Sequence, residues 1–538
     1  MLPAVLPEPS ECKPGSTIDQ VLSAPASEPS KVAWNLVSGT SSLGLGVMIE
    51  RGSGFVANIL AARLGGASTF GAYSLALSTA NNIATYAGAG IGSTAARFSG
   101  KYQYGTEGYG TLARVLMLVS LLSAGVAVSS LWLTAGPLAR LMGQGRLVHL
   151  LQWAALSAGG MVLLECARGF FVGQRRLAAL LLMSLIVGAG LITLLPFAAS
   201  QHNPIRMITS QGCLTICTVL TCLLLARQLH LLSPLPERAS QGLGGMLKEV
   251  WGFGFVQLAS LVGTNLAGWW LITLLARADT SLVQMGFFSI ASQLRNIVGL
   301  APNLLTEGSY AVMADPEGEV LRTPQNVLGW ITFASAVITF LFAAIGIVIL
   351  PWLLRTLYGS AYSQAAVAVS YGLALAAMHT ANAPASARLS ILSIKTTGVI
   401  NTAWAVFVAL SGLVFMARGG NAATVMLIYL GAHTLSSIFV LVALHHRNSL
   451  PRGMVAVFSL ATGSTIILAF FATLRAAHPD LAIRLTGTMV LLFAAVLAAL
   501  IGMGRHYGWI PTRAAATQFA LYLKCMTYRI ARRQSHAV

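Results

Sequence analysis

About fourteen apolar segments of membrane-spanning length recur along this chain, over 36–62, 71–93, 112–135, 148–169, 178–200, 207–228, 250–275, 284–308, 327–350, 363–386, 397–417, 422–444, 454–474 and 484–504. No other feature of the sequence restricts the fold as strongly. A helix of about 20 apolar residues crosses a bilayer. It does so because each backbone N–H and C=O is satisfied within the segment itself. The expected fold class is therefore all-α: a polytopic membrane protein with short connections. Only 9% of residues are charged, against about 25% in an average soluble domain.

The formal net charge is +18, from 33 Lys+Arg against 15 Asp+Glu. In a soluble protein that excess suggests nucleic acid. Here the basic residues lie mainly between apolar segments, as the positive-inside rule requires, and no nucleic-acid partner is expected. Arg97, Lys101, Arg114, Arg168, Arg175, Arg176, Arg388 and Arg447 fall on one side, Arg63, Arg140, Arg146, Arg277 and Arg355 on the other. The full count is about 22 against about 9, which places both termini in the cytoplasm. Six cysteines are present, most of them in apolar segments. Cys213 and Cys217 share a helix face, but no histidine or further cysteine completes a zinc set. They read as core thiols, with neither a disulfide framework nor a metal site.

Residues 1–31, rich in Pro, Ser and Glu, are expected to form a disordered cytoplasmic tail. A six-helix lobe follows over 32–229, a linker over 230–249 and a second six-helix lobe over 250–445. An extra helix pair occupies 446–505, and a basic amphipathic tail 506–538 with Phe519, Leu523, Met526 and Ile530 on one face. The two lobes read as duplicates. Gly71-Ala72-Tyr73-Ser74-Leu75-Ala76 matches Gly286-Phe287-Phe288-Ser289-Ile290-Ala291, and Asn81 matches Asn296. Pro137 before Gly143 matches Pro351 before Gly359, and Ala167-Arg168 matches Ala387-Arg388, in the same order and near one offset. An even number of segments separates the copies, so both insert in the same orientation, related by an axis along the membrane normal. A substrate path is expected between them.

The first segment carries Glu50 and Arg51 near its middle. A charge at the bilayer centre costs about 2.5–3.5 kcal/mol on insertion scales and is kept only where it faces protein or water. Adjacent helix residues do not face one another. Either Arg51 lines an internal cavity that accepts an anion, or it pairs with a carboxylate on another helix.

The run Phe55–Tyr73, with Ala62-Arg63-Leu64-Gly65 and Phe70-Gly71-Ala72-Tyr73, resembles the opening of the polysaccharide-exporter flippases. These belong to the multidrug/oligosaccharidyl-lipid/polysaccharide (MOP) exporter superfamily. Leu357-Tyr358-Gly359-Ser360-Ala361-Tyr362 resembles a loop they share before the tenth helix. The resemblance implies two lobes with alternating access. It implies transfer of an undecaprenyl-diphosphate-linked oligosaccharide from the cytoplasmic to the periplasmic leaflet of a bacterial inner membrane, for exopolysaccharide or O-antigen synthesis. The implied partners are that substrate, membrane lipids, and a polymerase or glycosyltransferases of the same pathway. No cofactor is implied beyond H+ or Na+ as a coupling ion.

Such a cargo needs cations where its diphosphate crosses, and guanidinium matches phosphate bidentately. Arg51 and Arg295 are the basic residues deepest in apolar segments and are the expected pair. Arg168 and Arg388 stand near the cytoplasmic ends of matched helices, where they either dock phosphate or anchor the helices. Asn81, Asn82, Gln293 and Asn296 either bind sugar hydroxyls or hydrogen-bond between helices. Glu50 and Glu307 are the expected ion-coupling carboxylates, and His379 is a further proton site or a satisfied core residue. Two other readings remain: a cation-coupled multidrug antiporter, which calls for an acidic cavity, and a membrane enzyme acting on lipid-linked sugars, which calls for positioned acid and base groups.

Overall fold

The computed structural model describes residues 28–88, 90–102, 104, 108–228, 243–314 and 324–509, and among them every regular element is a helix. In chain order the α-helices are α1 (Glu28–Gly88), α2 (Ile91–Lys101), α3 (Tyr109–Leu141), α4 (Val148–Gly173), α5 (Leu177–Ala199), α6 (Pro204–Gln228), α7 (Leu243–Ala278), α8 (Val283–Val298), α9 (Leu300–Ala314), α10 (Pro324–Val348), α11 (Leu350–Leu357), α12 (Ala366–Leu392), α13 (Ile394–Met416), α14 (Ala422–His446), α15 (Met454–Ala477) and α16 (Ala482–His506). Each of the expected apolar segments falls on one of these helices or a consecutive pair. Among the described residues, eleven helical stretches are long and apolar enough to cross a membrane. Leu133, Phe197, Ile394 and Leu491 are among the large apolar side chains left exposed, as helices facing acyl chains require.

The longest stretch, Gly44–Gly88, has 45 residues. At 1.5 Å per residue it is about 68 Å long, roughly twice a hydrocarbon core. It is broken at Gly66, whose φ of 77° and ψ of 167° are non-helical and open to glycine at little cost. Two span-length halves result. Helix starts at Glu28 and Leu243 lie inside the stretches expected to be tail and linker. The remainder of those stretches, the loop around Asp315–Glu319 and the basic tail from 510 onward lie outside the described residues.

Helices α1–α6 pack chiefly on one another, and α7–α14 do likewise, with α15 and α16 laid against α10 and α12. The main contact between the two sets is α1 against α8. It is reciprocal. A Cβ on Gly71 would strike the Leu282 carbonyl, and a Cβ on Gly286 would strike the Ala67 carbonyl. Since 67 is to 71 as 282 is to 286, the duplicated segments cross about a pseudo-two-fold axis. Around this crossing Ser68 Oγ donates to Ser281 O, Tyr362 Oη to Ala62 O (2.9 Å) and an Arg63 guanidinium N–H to Thr356 O (2.9 Å). Gln144 Nε2 donates to Ala276 O at 3.0 Å. Both short motifs, 62–73 and 357–362, thus belong to one seal between the two helix sets.

Candidate functional site

Beyond this seal the two sets enclose a cavity of about 900 Å³. Its wall is built from stripes at helical spacing: Ser74, Ser78, Asn81 and Asn82 on α1, Asn265 and Trp269 on α7, Ser289, Ser292, Gln293 and Asn296 on α8. His379, Asn382 and Ser386 on α12, Asn401 and Trp404 on α13, and Tyr429, His433 and Ser436 on α14 complete it. Residues three, four and seven apart share one helix face, so each stripe turns its polar groups inward and leaves its apolar residues to neighbours and lipid.

Arg295 carries the one formal charge among the described lining residues. It stands twelve residues along α8 from Val283, about 18 Å into the span. The helix is interrupted at Gly299, and α9 restarts at Leu300 with Pro302 in its first turn. Pro384, next to lining residue Ala383, likewise cannot hydrogen-bond back to Thr380 within α12. Interrupted helices are tolerated at membrane depth where they line a cavity. Arg295 Nε and Nη2 donate to Asn296 Oδ1 at 3.3 and 3.2 Å, and no carboxylate pairs with it among the described residues.

Aromatic rings sit beside this cation. Trp404 stacks on Tyr429 at 6.0 Å with 14° between planes, and Phe288 lies 6.4 Å from Tyr429. His433 is edge-on to Trp404 at 5.4 Å and to His379 at 5.1 Å. Tyr429 Oη donates to Gly268 O at 3.1 Å, tying α14 to α7. Trp269 Nε1 donates to Thr79 Oγ1 at 3.2 Å, tying α7 to α1 across the two sets.

Of the residues singled out from sequence, the structure brings Arg295, Asn81, Asn82, Gln293, Asn296 and His379 into this cavity. It does not bring Arg51 there. Arg51 is exposed, on the stripe of lining residue Asn58 but two turns, about 10 Å, further along α1. The expected Arg51–Arg295 pair across one cavity is therefore not formed. Arg168 does not dock in it either: it is held by Glu50 from α1 and by Glu165 at 3.0 Å on its own helix. Glu50 is accordingly an ion-pair partner, and the N-terminal half contributes no free cation to the described wall. Arg388 donates a guanidinium N–H to Met313 O near the end of α9, which satisfies a terminal helix carbonyl. Glu307 is exposed and lies outside the described wall. Trp269, Trp404, Tyr429, His433, Asn382 and Asn401 were not singled out. Their common signal, polar or aromatic residues repeating at three and four within apolar segments, is present in the sequence.

Fold and cavity define a multi-pass membrane protein in which two duplicated helix sets face each other across a polar chamber whose described wall carries one cation. The chain belongs to the polysaccharide biosynthesis protein family, whose model matches residues 36–306. No protein of curated function matches it. Among solved structures, lipid II flippase MurJ in an inward closed conformation is similar at 13% identity and TM-score 0.63, over 86% of this chain and 99% of that one. A multidrug resistance MATE family transporter of the MOP superfamily in an inward-facing conformation is similar at 16% identity and TM-score 0.56, over 78% and 98%. An outward-facing MATE structure is similar at 13% and 0.51, over 78% and 96%. The fold is that of the MOP superfamily.

Proposed function

We propose that this protein is a flippase for an oligosaccharide linked to a polyprenyl diphosphate of the undecaprenyl type, moving it from the cytoplasmic to the periplasmic leaflet by alternating access. The observation that carries the reading is Arg295, a cation without a carboxylate partner among the described residues, deep in a polar chamber between duplicated halves. The prenyl chain can stay in lipid. The diphosphate and sugars must cross about 30 Å of hydrocarbon, and a guanidinium offers phosphate a planar pair of donors. Amides and hydroxyls along the wall suit sugar hydroxyls. A cation or cationic drug would meet like charge there and no described carboxylate, which disfavours the multidrug antiporter reading. An enzyme acting on lipid-linked sugars would need acid and base groups, of which the described wall offers His379 and His433. Arg51, on the lining stripe beyond the chamber, is the residue that first meets an incoming headgroup.

The reading is tested in a deletion strain by measuring lipid-linked oligosaccharide on each face of the inner membrane. Complementation with Arg295→Ala should leave the substrate on the cytoplasmic face at normal protein levels. Export at the native rate would refute it.

A further inference from the structure

The end of the bundle that the basic-residue count assigns to the outside carries nine arginines and no lysine in or beside its connections, against Asp279 and Asp480. None of the chain's six lysines lies there. Basic residues are disfavoured on the translocated side, so their retention as arginine alone calls for a reason. The two residue types share a charge and differ in the planar guanidinium fork, which pairs phosphate bidentately.

Five of these arginines gather at the seal, because the loops that carry them interlock across it. Residues 142–147, between α3 and α4, lie on the end of α7. A Cβ on Gly143 would be 3.4 Å from Arg277 Cγ, Gln144 Nε2 donates to Ala276 O at 3.0 Å, and an Arg146 N–H donates to Thr280 O. The Gly143 amide is itself bonded to Arg140 O at 3.0 Å. In the duplicate arrangement residues 356–362 lie on α1 just before its break, where Arg63 donates to Thr356 O and Tyr362 to Ala62 O. Arg140 and Arg146 of one half are thus grouped with Arg277 of the other, and Arg355 with Arg63. All five are exposed. Arg140, Arg277 and Arg355 have no hydrogen-bond or ion-pair partner among the described residues. Asp279 does not neutralise them: its carboxylate accepts from Ser281 N, Ser281 Oγ and Gln284 N of its own loop.

We infer that this arginine rim is a phosphate-binding site, and that it receives the diphosphate of the transported lipid when the halves part. Each group holds arginine from both halves, so the guanidiniums flank the line along which the seal must open. Helix α8 runs from the rim inward to Arg295, a distance of about 18 Å. An anion leaving Arg295 along that path meets a second concentration of positive charge at the water boundary. Each guanidinium has five N–H donors, so Arg63 and Arg146 keep donors to spare beyond those they give to the seal. The inference rests on the flippase reading and adds an exit site to it.

The test uses full-length protein in phosphatidylcholine nanodiscs at physiological ionic strength, where scattered surface charges are largely screened. The probe is inorganic pyrophosphate, and every protein carries Arg295→Ala so that the chamber does not contribute. Arg140→Gln/Arg277→Gln, in which neither altered side chain donates to the seal, should weaken pyrophosphate at least about tenfold. Arg140→Lys/Arg277→Lys should weaken it less, since charge remains without the fork. Arg206→Gln/Arg484→Gln removes the same charge at the same end, outside the seal, and should change nothing. Thermal melts confirm that each variant is folded. Nanodiscs doped with undecaprenyl diphosphate or with phosphatidylglycerol, at equal mole fraction, separate the two sources of lipid phosphate: the first should displace pyrophosphate and the second should not. Native binding by folded Arg140→Gln/Arg277→Gln overturns the site. Equal competition by phosphatidylglycerol, or none by undecaprenyl diphosphate, overturns its assignment to the transported lipid. Competition by undecaprenyl diphosphate, with no transfer of a polyprenyl-diphosphate saccharide by wild type, sustains the phosphate site and overturns the flippase reading instead.

Discussion

Gly71 lies in a helical stretch of α1 at the crossing with α8, and replacing it with alanine sets two effects against each other. Locally alanine favours helix over glycine by about 0.5–1 kcal/mol. Across the crossing, the new Cβ would strike the Leu282 carbonyl, and the Gly286 amide nitrogen would lie only 2.8 Å from it. Favourable contact begins near 3.5 Å. The obstructing atoms are backbone, so the helices must separate, and forced overpacking typically costs about 1–3 kcal/mol. The net is about 1–2 kcal/mol against the closed crossing, a factor of about 5–30 in its population. A reporter is available in Ala62, which is fully buried at the seal where its carbonyl accepts from Tyr362. With the native cysteines replaced, Ala62→Cys should react slowly with a membrane-impermeant maleimide and about 5–30-fold faster once Gly71→Ala is added. Gly286→Ala should act in the same direction, since it meets the Ala67 carbonyl reciprocally. Gly125→Ala, with nothing within 4 Å of its new Cβ, should leave labelling unchanged. Unchanged labelling and melting in both crossing variants would refute the close-approach argument.

Tyr362→Phe removes the hydrogen bond to Ala62 O and should lower stability by about 0.5–1.5 kcal/mol, read as a lower midpoint of thermal unfolding in detergent. Glu50→Gln leaves Arg168 with Glu165 as its carboxylate partner. It should destabilise by about 1–3 kcal/mol, and the Glu50→Gln/Arg168→Gln double variant should fall short of the sum of the single effects; additive losses would show the pair is not coupled.

Much of the fold was legible because a bilayer leaves the chain few choices. Runs of about 20 apolar residues name spanning helices. The Gly71/Gly286 match named a duplication, but that the two copies meet at a close crossing came only from the structure. The chamber was legible in part. Arg295, Asn81 and Asn296 stood out as polar residues in apolar segments, but distance into a segment does not tell which way a side chain turns. Arg51 is as deep in sequence as Arg295, yet lies about two turns past the chamber. Arg168 and Glu50, more than one hundred residues apart, meet through tertiary packing that no spacing announces. Trp404, Tyr429 and His433 went unread because aromatic and imidazole groups in an apolar helix look like core until the stripe they share is mapped onto one face.

The central claim, that Arg295 compensates a diphosphate held between the lobes, can be measured directly in proteoliposomes. Transfer of a polyprenyl-diphosphate saccharide across the bilayer is compared with that of the same saccharide on a phosphate-free polyprenol. Loss of a charge-assisted hydrogen-bonding group costs about 1.5–3 kcal/mol, a factor of about 10–150. Arg295→Ala should therefore slow the diphosphate substrate by that factor and leave the phosphate-free lipid as it was, while Arg295→Lys restores part of the loss because charge remains without the guanidinium fork. Native transfer of the diphosphate lipid by folded Arg295→Ala would contradict the account.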